Sequence, residues 1–306
     1  FLDGPFGTRY RYKTTIDQFA LFGEDRLALS DALSLVTGIR YDRPQATRND
    51  VIDPTQNFRS TYPSTSWRVG VVYNPKSWIS LYAQYSAAAD PVTAFLTATL
   101  AQKDFKLSTG EQWEAGVKAN FWGGRGEFSL AGYKIVKKNI LSRSANDPTI
   151  SVQVGQQSSY GVEASLGLAV TSNFNILANG TILRAKYDDF NELVSNVLLS
   201  RDGNVPIGAA EKAANLWLSW APLHNVHLDG GLRYVGSRYS DAANTRLLPA
   251  YTVIDASVRY DLAPKSSVTL NVRNALDKLY ARNSYSTAQW VLGDPRSFDL
   301  TFEQRF

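Results

Sequence analysis

Between residues 251 and 306 apolar and polar positions take turns. Ile254, Ala256, Val258, Tyr260 and Leu262 are separated by Asp255, Ser257, Arg259 and Asp261; Val268, Leu270 and Val272 are separated by Thr269 and Asn271. Phe298, Leu300 and Phe302 alternate with Asp299, Thr301 and Glu303 before the chain ends on Phe306. Side chains alternate across a β-strand, so each segment has one greasy and one wet face. The pattern predicts strands over 16–29, 33–42, 67–73, 78–86, 111–121, 127–138, 160–170, 174–185, 214–220, 226–235, 251–262, 267–276 and 297–306. Most are near ten residues, the length that crosses a bilayer when tilted by about 45°. Their wet faces carry full charges.

The connections follow a rhythm. Tight turns such as Ser30-Asp31 and Gly123-Gly124-Arg125 alternate with long polar stretches at 43–65, 87–110, 139–157, 186–211, 236–250 and 277–296. Short turns on one side and long loops on the other are the habit of a membrane barrel, whereas loops of this length are uncommon in a compact soluble domain. Aromatic residues near strand ends (Tyr41, Trp67, Tyr73, Trp78, Trp113, Trp122, Tyr187, Trp220, Tyr234, Tyr260) are placed for two headgroup-level girdles. The expected fold is an all-β, antiparallel transmembrane β-barrel.

Composition removes alternatives. No run approaches the roughly twenty apolar residues of a membrane helix, and the mean hydropathy of −0.24 suits strands with only every second residue in lipid. The chain has no cysteine, hence no disulfide or thiolate metal site. Its net charge of +4 is spread out, which gives no nucleic-acid footprint. The chain opens at Phe1 with no leader-like segment, and thirteen strands is an odd number where bacterial barrels have even ones. Both suggest a piece of a longer barrel, with the plug domain and first strands expected upstream of residues 1–306.

Several motifs then fall in order along the chain. Gly38-Ile39-Arg40-Tyr41-Asp42, Trp67 to Tyr73 followed by Leu81-Tyr82-Ala83-Gln84-Tyr85-Ser86, Gln112 to Lys118, and Gly161-Val162-Glu163 resemble successive strands of TonB-dependent outer-membrane receptors. Asn271-Val272-Arg273-Asn274-Ala275-Leu276-Asp277-Lys278-Leu279-Tyr280 resembles that family's N-x-x-N-L-F-D-K-x-Y signature, with Ala275-Leu276 departing from Leu-Phe. Gly293-Asp294-Pro295-Arg296 is similar to the G-x-P-R before the last strand. The siderophore-receptor branch is the most similar.

The resemblance implies an outer-membrane active-uptake receptor for ferric siderophores, energised by the TonB complex through the absent N-terminal part. Haem, cobalamin, an oligosaccharide or a passive porin-like role are the alternatives. Further expected partners are the barrel-assembly machinery, reading Phe306, Phe302, Leu300 and Phe298, and outer-membrane lipid with lipopolysaccharide; no cofactor is expected. Ligand contact is expected from Arg238, Tyr239 and Arg246 in one late loop and Arg282, Tyr285 and Trp290 in the next, because guanidinium forks and flat rings suit bulky anionic chelates. Tyr280 and Arg296, as family landmarks, are expected at the loop base. Inward positions are expected for Arg40, Glu163, Asp229, Arg233, Asp255, Arg259 and Arg273. An enzyme is not expected. The two histidines, His224 and His227, lie in or beside a short turn, away from the outer rim, and are expected to be solvated.

Overall fold

A computed structural model describes residues 11–143, 151–195, 197–286 and 289–306. Thirteen strands form the path of one antiparallel sheet in which each pairs with its neighbours in sequence, and a short fourteenth, Phe58–Thr61, pairs with the second of them. The thirteen are β1 (Tyr12–Ala28), β2 (Leu33–Asp50), β3 (Ser64–Lys76), β4 (Ile79–Ala89), β5 (Thr109–Phe121), β6 (Gly126–Arg143) and β7 (Ser151–Thr171), followed by β8 (Phe174–Asp189), β9 (Lys212–Leu223), β10 (Val226–Val235), β11 (Tyr251–Ala263), β12 (Ser266–Arg273) and β13 (Ser297–Gln304). Each expected segment corresponds to one of them. Among the described residues the helices are single 3-10 turns, and none is long and apolar enough to cross a membrane.

The register keeps the two faces separate across the wall. Phe298, Val272, Ala256, Gly230 and Leu218 form one cross-strand row. The next row holds Asp299, Asn271, Ser257, Asp229 and Ser219. A slip of one residue in any strand would put charge among the greasy side chains, so burial of one face in lipid fixes the register. The apolar face is exposed in the isolated chain, from Leu21 and Ile39 at one edge to Leu300 and Phe302 at the other.

The girdles form as expected, with one correction. Tyr41, Trp67, Trp113 and Tyr234 lie on the outward face toward the long loops, Tyr73, Trp220 and Tyr260 on it toward the short turns, and Trp78 and Trp122 are exposed within two of those turns. Tyr187 belongs to neither. It follows Leu183 and Ala185 on the inward face of β8, where it is buried against Phe190 and Ala242.

Several strands outrun their expected ends. β2 was expected to stop at Asp42 and continues to Asp50; Tyr12 to Thr15 are strand rather than loop, while residues 1–10 lie outside the described residues. In the extension of β2 the inward residues Pro44, Ala46, Arg48 and Asp50 are all buried beneath loop side chains. Loop packing, rather than lipid, holds this part of the strand straight. β1 and β13 each pair on one side only, so the sheet does not close on itself.

Candidate ligand platform and lumenal wall

Short charged residues two apart on a strand share a face, and the inward wall uses this. Arg40 pairs with Asp42 at 2.7 Å and Arg259 with Asp261 at 2.8 Å, while Arg273 reaches across to Asp299 at 2.8 Å. Register puts Glu163, Asp229, Arg233 and Asp255 on the same face as these three arginines. His224 is a turn residue, as expected. His227 is not simply solvated: its Nε2 lies 2.9 Å from Asp261 Oδ2. Among the described residues no three His, Asp or Glu side chains gather as a metal site. Gly123 and Gly124 turn the chain at φ of 65° and 87° and lead directly into a strand, which leaves no helix N-terminus to cradle a phosphate.

Above the wall the long loops pack into two small cores. In the first, Phe58, Tyr62, Val92, Phe95 and Leu107 close over Ala46, with Tyr62 and Phe95 stacked at 4.8 Å. Arg48 fastens it: the guanidinium sits 3.6 Å from the centre of the Tyr12 ring and donates to the Ala98 carbonyl at 2.9 Å. The Asp53 and Ile52 amides and the Arg48 guanidinium hold the Asp50 carboxyl below the usual carboxylate range despite its burial.

The second core joins the loop after β8 to the loop after β10. Asn204 Nδ2 donates to the Ala242 carbonyl at 2.8 Å, Asn244 Nδ2 donates to the Val205 carbonyl at 2.9 Å, and the Val205 amide donates back to Asn244 Oδ1 at 2.7 Å. Asp241 folds its own loop by accepting from the Thr245 hydroxyl at 2.6 Å and from the Thr245 and Arg246 amides. These two asparagines escaped the sequence reading, although Asp241 followed by Asn244-Thr245 is a turn-forming string.

Arg238, an expected ligand residue, is 4% exposed. Its Nη2 donates to the carbonyls of Ala281 and Arg282 at 2.7 and 2.8 Å, and its guanidinium lies over Tyr251 at 5.3 Å. It ties one late loop to the other. Tyr239 is half-buried in a two-residue bridge to Leu247. Arg246 and Arg282 are exposed, as are Tyr285 at 54% and Trp290 at 48%. Tyr285 and Trp290 stand on a small hairpin, Ala281–Ser286 with Gln289–Leu292, raised above the wall.

The signature residues build the base of that hairpin. Asn274, 3% exposed and at φ 47°, donates from Nδ2 to the carbonyls of Lys278 and Asp294, both at 3.0 Å, and accepts the Lys278 amide at 2.8 Å. Its own amide donates to Asp255 at 2.7 Å, and Asp277 accepts the Arg296 amide at 2.9 Å. Tyr280 packs on Tyr251 at 4.3 Å and against Gly293, where any Cβ would fall inside its ring. Phe298, Leu300 and Phe302 line the outward face of the last strand, and Phe306 is fully exposed beyond it.

Comparison with known proteins places this architecture. Residues 1–275 match the family model described as TonB dependent receptor-like, beta-barrel. The ferrioxamine receptor of Yersinia enterocolitica is 30% identical over 299 residues, covering 93% of this chain and 39% of that protein. The ferrichrome outer membrane transporter/phage receptor of Escherichia coli K12 is 29% identical over 308 residues, with 97% and 39% covered. The crystal structure of the siderophore receptor PiuA from Acinetobacter baumannii superposes with a TM-score of 0.84 at 22% identity, over 96% of this chain and 44% of that one. The chain therefore spans about two fifths of the length of the curated relatives it matches. The thirteen-strand wall, the signature-built loop base and the family match lead to one conclusion: the chain belongs to the TonB-dependent receptor β-barrels, proteins of the bacterial outer membrane.

Proposed function

We propose that this chain is the C-terminal part of an outer-membrane receptor that takes up ferric siderophores with energy delivered through TonB. The observation that carries the reading is the platform of interlocked loops: it lifts Trp290, Tyr285, Arg282, Arg246 and Tyr239 above a charged wall, on a base made by Asn274, Asp277 and Tyr280. Flat rings offer contact area and guanidinium forks offer paired donors to a chelate's oxygens. Arg238 serves this set from behind by joining the two loops. Relatives named for ferrioxamine and ferrichrome support the substrate class. The plug and the energy-coupling segment belong to the rest of the protein, as do the strands that pair with the free edges of β1 and β13.

The test is growth and labelled-iron uptake by a strain lacking its other iron receptors and carrying the full-length gene. Ferric siderophores as sole iron source should restore growth, and deletion of TonB should abolish it. Growth on haem alone, rescue of cobalamin uptake instead, or uptake indifferent to TonB would overturn the reading.

A further inference from the structure

Two of the long loops carry small hairpins whose upper side chains are apolar and stand in water. The connection at 186–211 folds back on itself, Asn191–Val194 against Val197–Ser200. Leu193, Val197 and Leu198 near its tip are 58%, 57% and 68% exposed. The platform hairpin likewise exposes Val291 and Leu292 beside Trp290. Lipid does not account for the first tip. Arg184 shares a cross-strand row with the girdle residue Trp113, and Leu193 lies nine residues beyond it. At about 3.3 Å per residue that is about 30 Å of chain, well above the hydrocarbon even on a tilted strand.

A second observation joins the two hairpins. The order of strands in the wall puts the loop at 236–250 between them, and that loop holds both. On one side Phe190, at the foot of the first hairpin, packs on Ala242, and Asn244 exchanges two hydrogen bonds with Val205. The Gly208 amide also donates to the Tyr239 carbonyl at 2.9 Å. On the other side Arg238 grips the Ala281 and Arg282 carbonyls. The first hairpin is braced as well: Glu192 and Arg201 pair at 2.8 Å with both side chains largely buried, and Asp202 accepts the Phe190 amide at 2.9 Å. The brace keeps the tip from tucking its leucines away, so both apolar surfaces hold fixed places relative to Arg246 and Arg282.

We propose that the two hairpins are the apolar walls of the cargo site, and that the preferred ferric chelate carries a hydrocarbon segment. Leu193, Val197 and Leu198 on one side and Val291 and Leu292 on the other take that segment, while the anionic head lies on Arg246 and Arg282. The proposal deepens the uptake reading above and rests on it. Hydrocarbon held between the walls removes from water the apolar surface that the loops leave exposed. A cargo charged all round would leave both tips wet.

The experiment measures binding to the full-length receptor by calorimetry, with a ferric trihydroxamate and a ferric tris-catecholate. Each is offered with an acetyl and with a hexanoyl group on the same amine. For the head that the receptor accepts, wild type should bind the hexanoyl form about tenfold tighter, the gain from burying about two methylenes. Leu193→Ser/Val197→Ser/Leu198→Ser should lose that advantage and keep its affinity for the acetyl form. Val51→Ser/Ile52→Ser, which alters exposed apolar residues on the loop after β2, should keep both. Equal affinities in wild type overturn the proposal and leave the uptake reading standing. So does an unchanged advantage in the triple variant, which would mean that another part of the protein covers the tip. Binding of neither head overturns the uptake reading and the proposal together.

Discussion

Asn274 shows how one side chain substitutes for missing backbone partners. At φ 47° most L residues are strained, while asparagine tolerates the conformation. Its buried amide then satisfies two carbonyls and one N–H that the loop base leaves unpaired. Asn274→Ala keeps the strain and strands those groups, so it should cost about 2–4 kcal/mol, since each buried unsatisfied polar group costs about 1–3 kcal/mol. The measurement is the temperature at which the full-length receptor loses its folded electrophoretic band, which should fall. Asn274 was legible as part of a motif, but its role was not. Its partners Asp255 and Asp294 lie 19 and 20 residues away, and only the fold brings them to it. Arg238 shows the converse: an arginine in an aromatic loop reads as a ligand contact until its burial and two carbonyl acceptors are seen.

Strands were legible where lipid dictates them and illegible where loops do. Leu216 lies mid-strand in β9, in a row with Leu232 and Ile254, whereas Asn215 next to it faces inward beside Asn179. Leu216→Arg should cost about 2–4 kcal/mol, the range for arginine at the bilayer midplane. Asn215→Arg should be near neutral. Folding yield into vesicles, compared for the two variants, checks this; equal yields would mean the faces are misassigned. The upper part of β2 lacks that signal. Arg43, Gln45, Thr47 and Asn49 on one face are as polar as Arg48 and Asp50 on the other, so the sequence reads as loop although the chain stays extended. The loop around Asp241 has its own pH signature. Burial raises the carboxyl's pKa, but the Thr245 hydroxyl and the Arg246 and Thr245 amides outweigh it and hold the pKa below the usual range. A depressed folded-state pKa means the stabilisation is complete above the unfolded value of about 3.9 and fades as pH falls below it. Amides of Thr245 and Arg246 should exchange slowly at pH 7 relative to their intrinsic rate and lose that protection toward pH 3. Asp241→Asn should be poorly protected at both.

On the scale of the molecule, two strand edges stand open. Unpaired backbone groups in hydrocarbon cost several kcal/mol each, and β1 alone presents an edge of 17 residues. Residues 11–306 alone should therefore fail to give a heat-resistant folded band in lipid vesicles, while the full-length receptor gives one; a stable band from the segment would show that it closes or pairs by itself. The direction of the two edges says more. β1 leaves the long-loop side and ends at the Ser30 turn, and β13 likewise descends from the long-loop side to Phe306. Both edges point the same way, so sealing them against each other would create a parallel seam. Whatever completes the cylinder must supply an odd number of crossings, with its first and last ones both climbing outward.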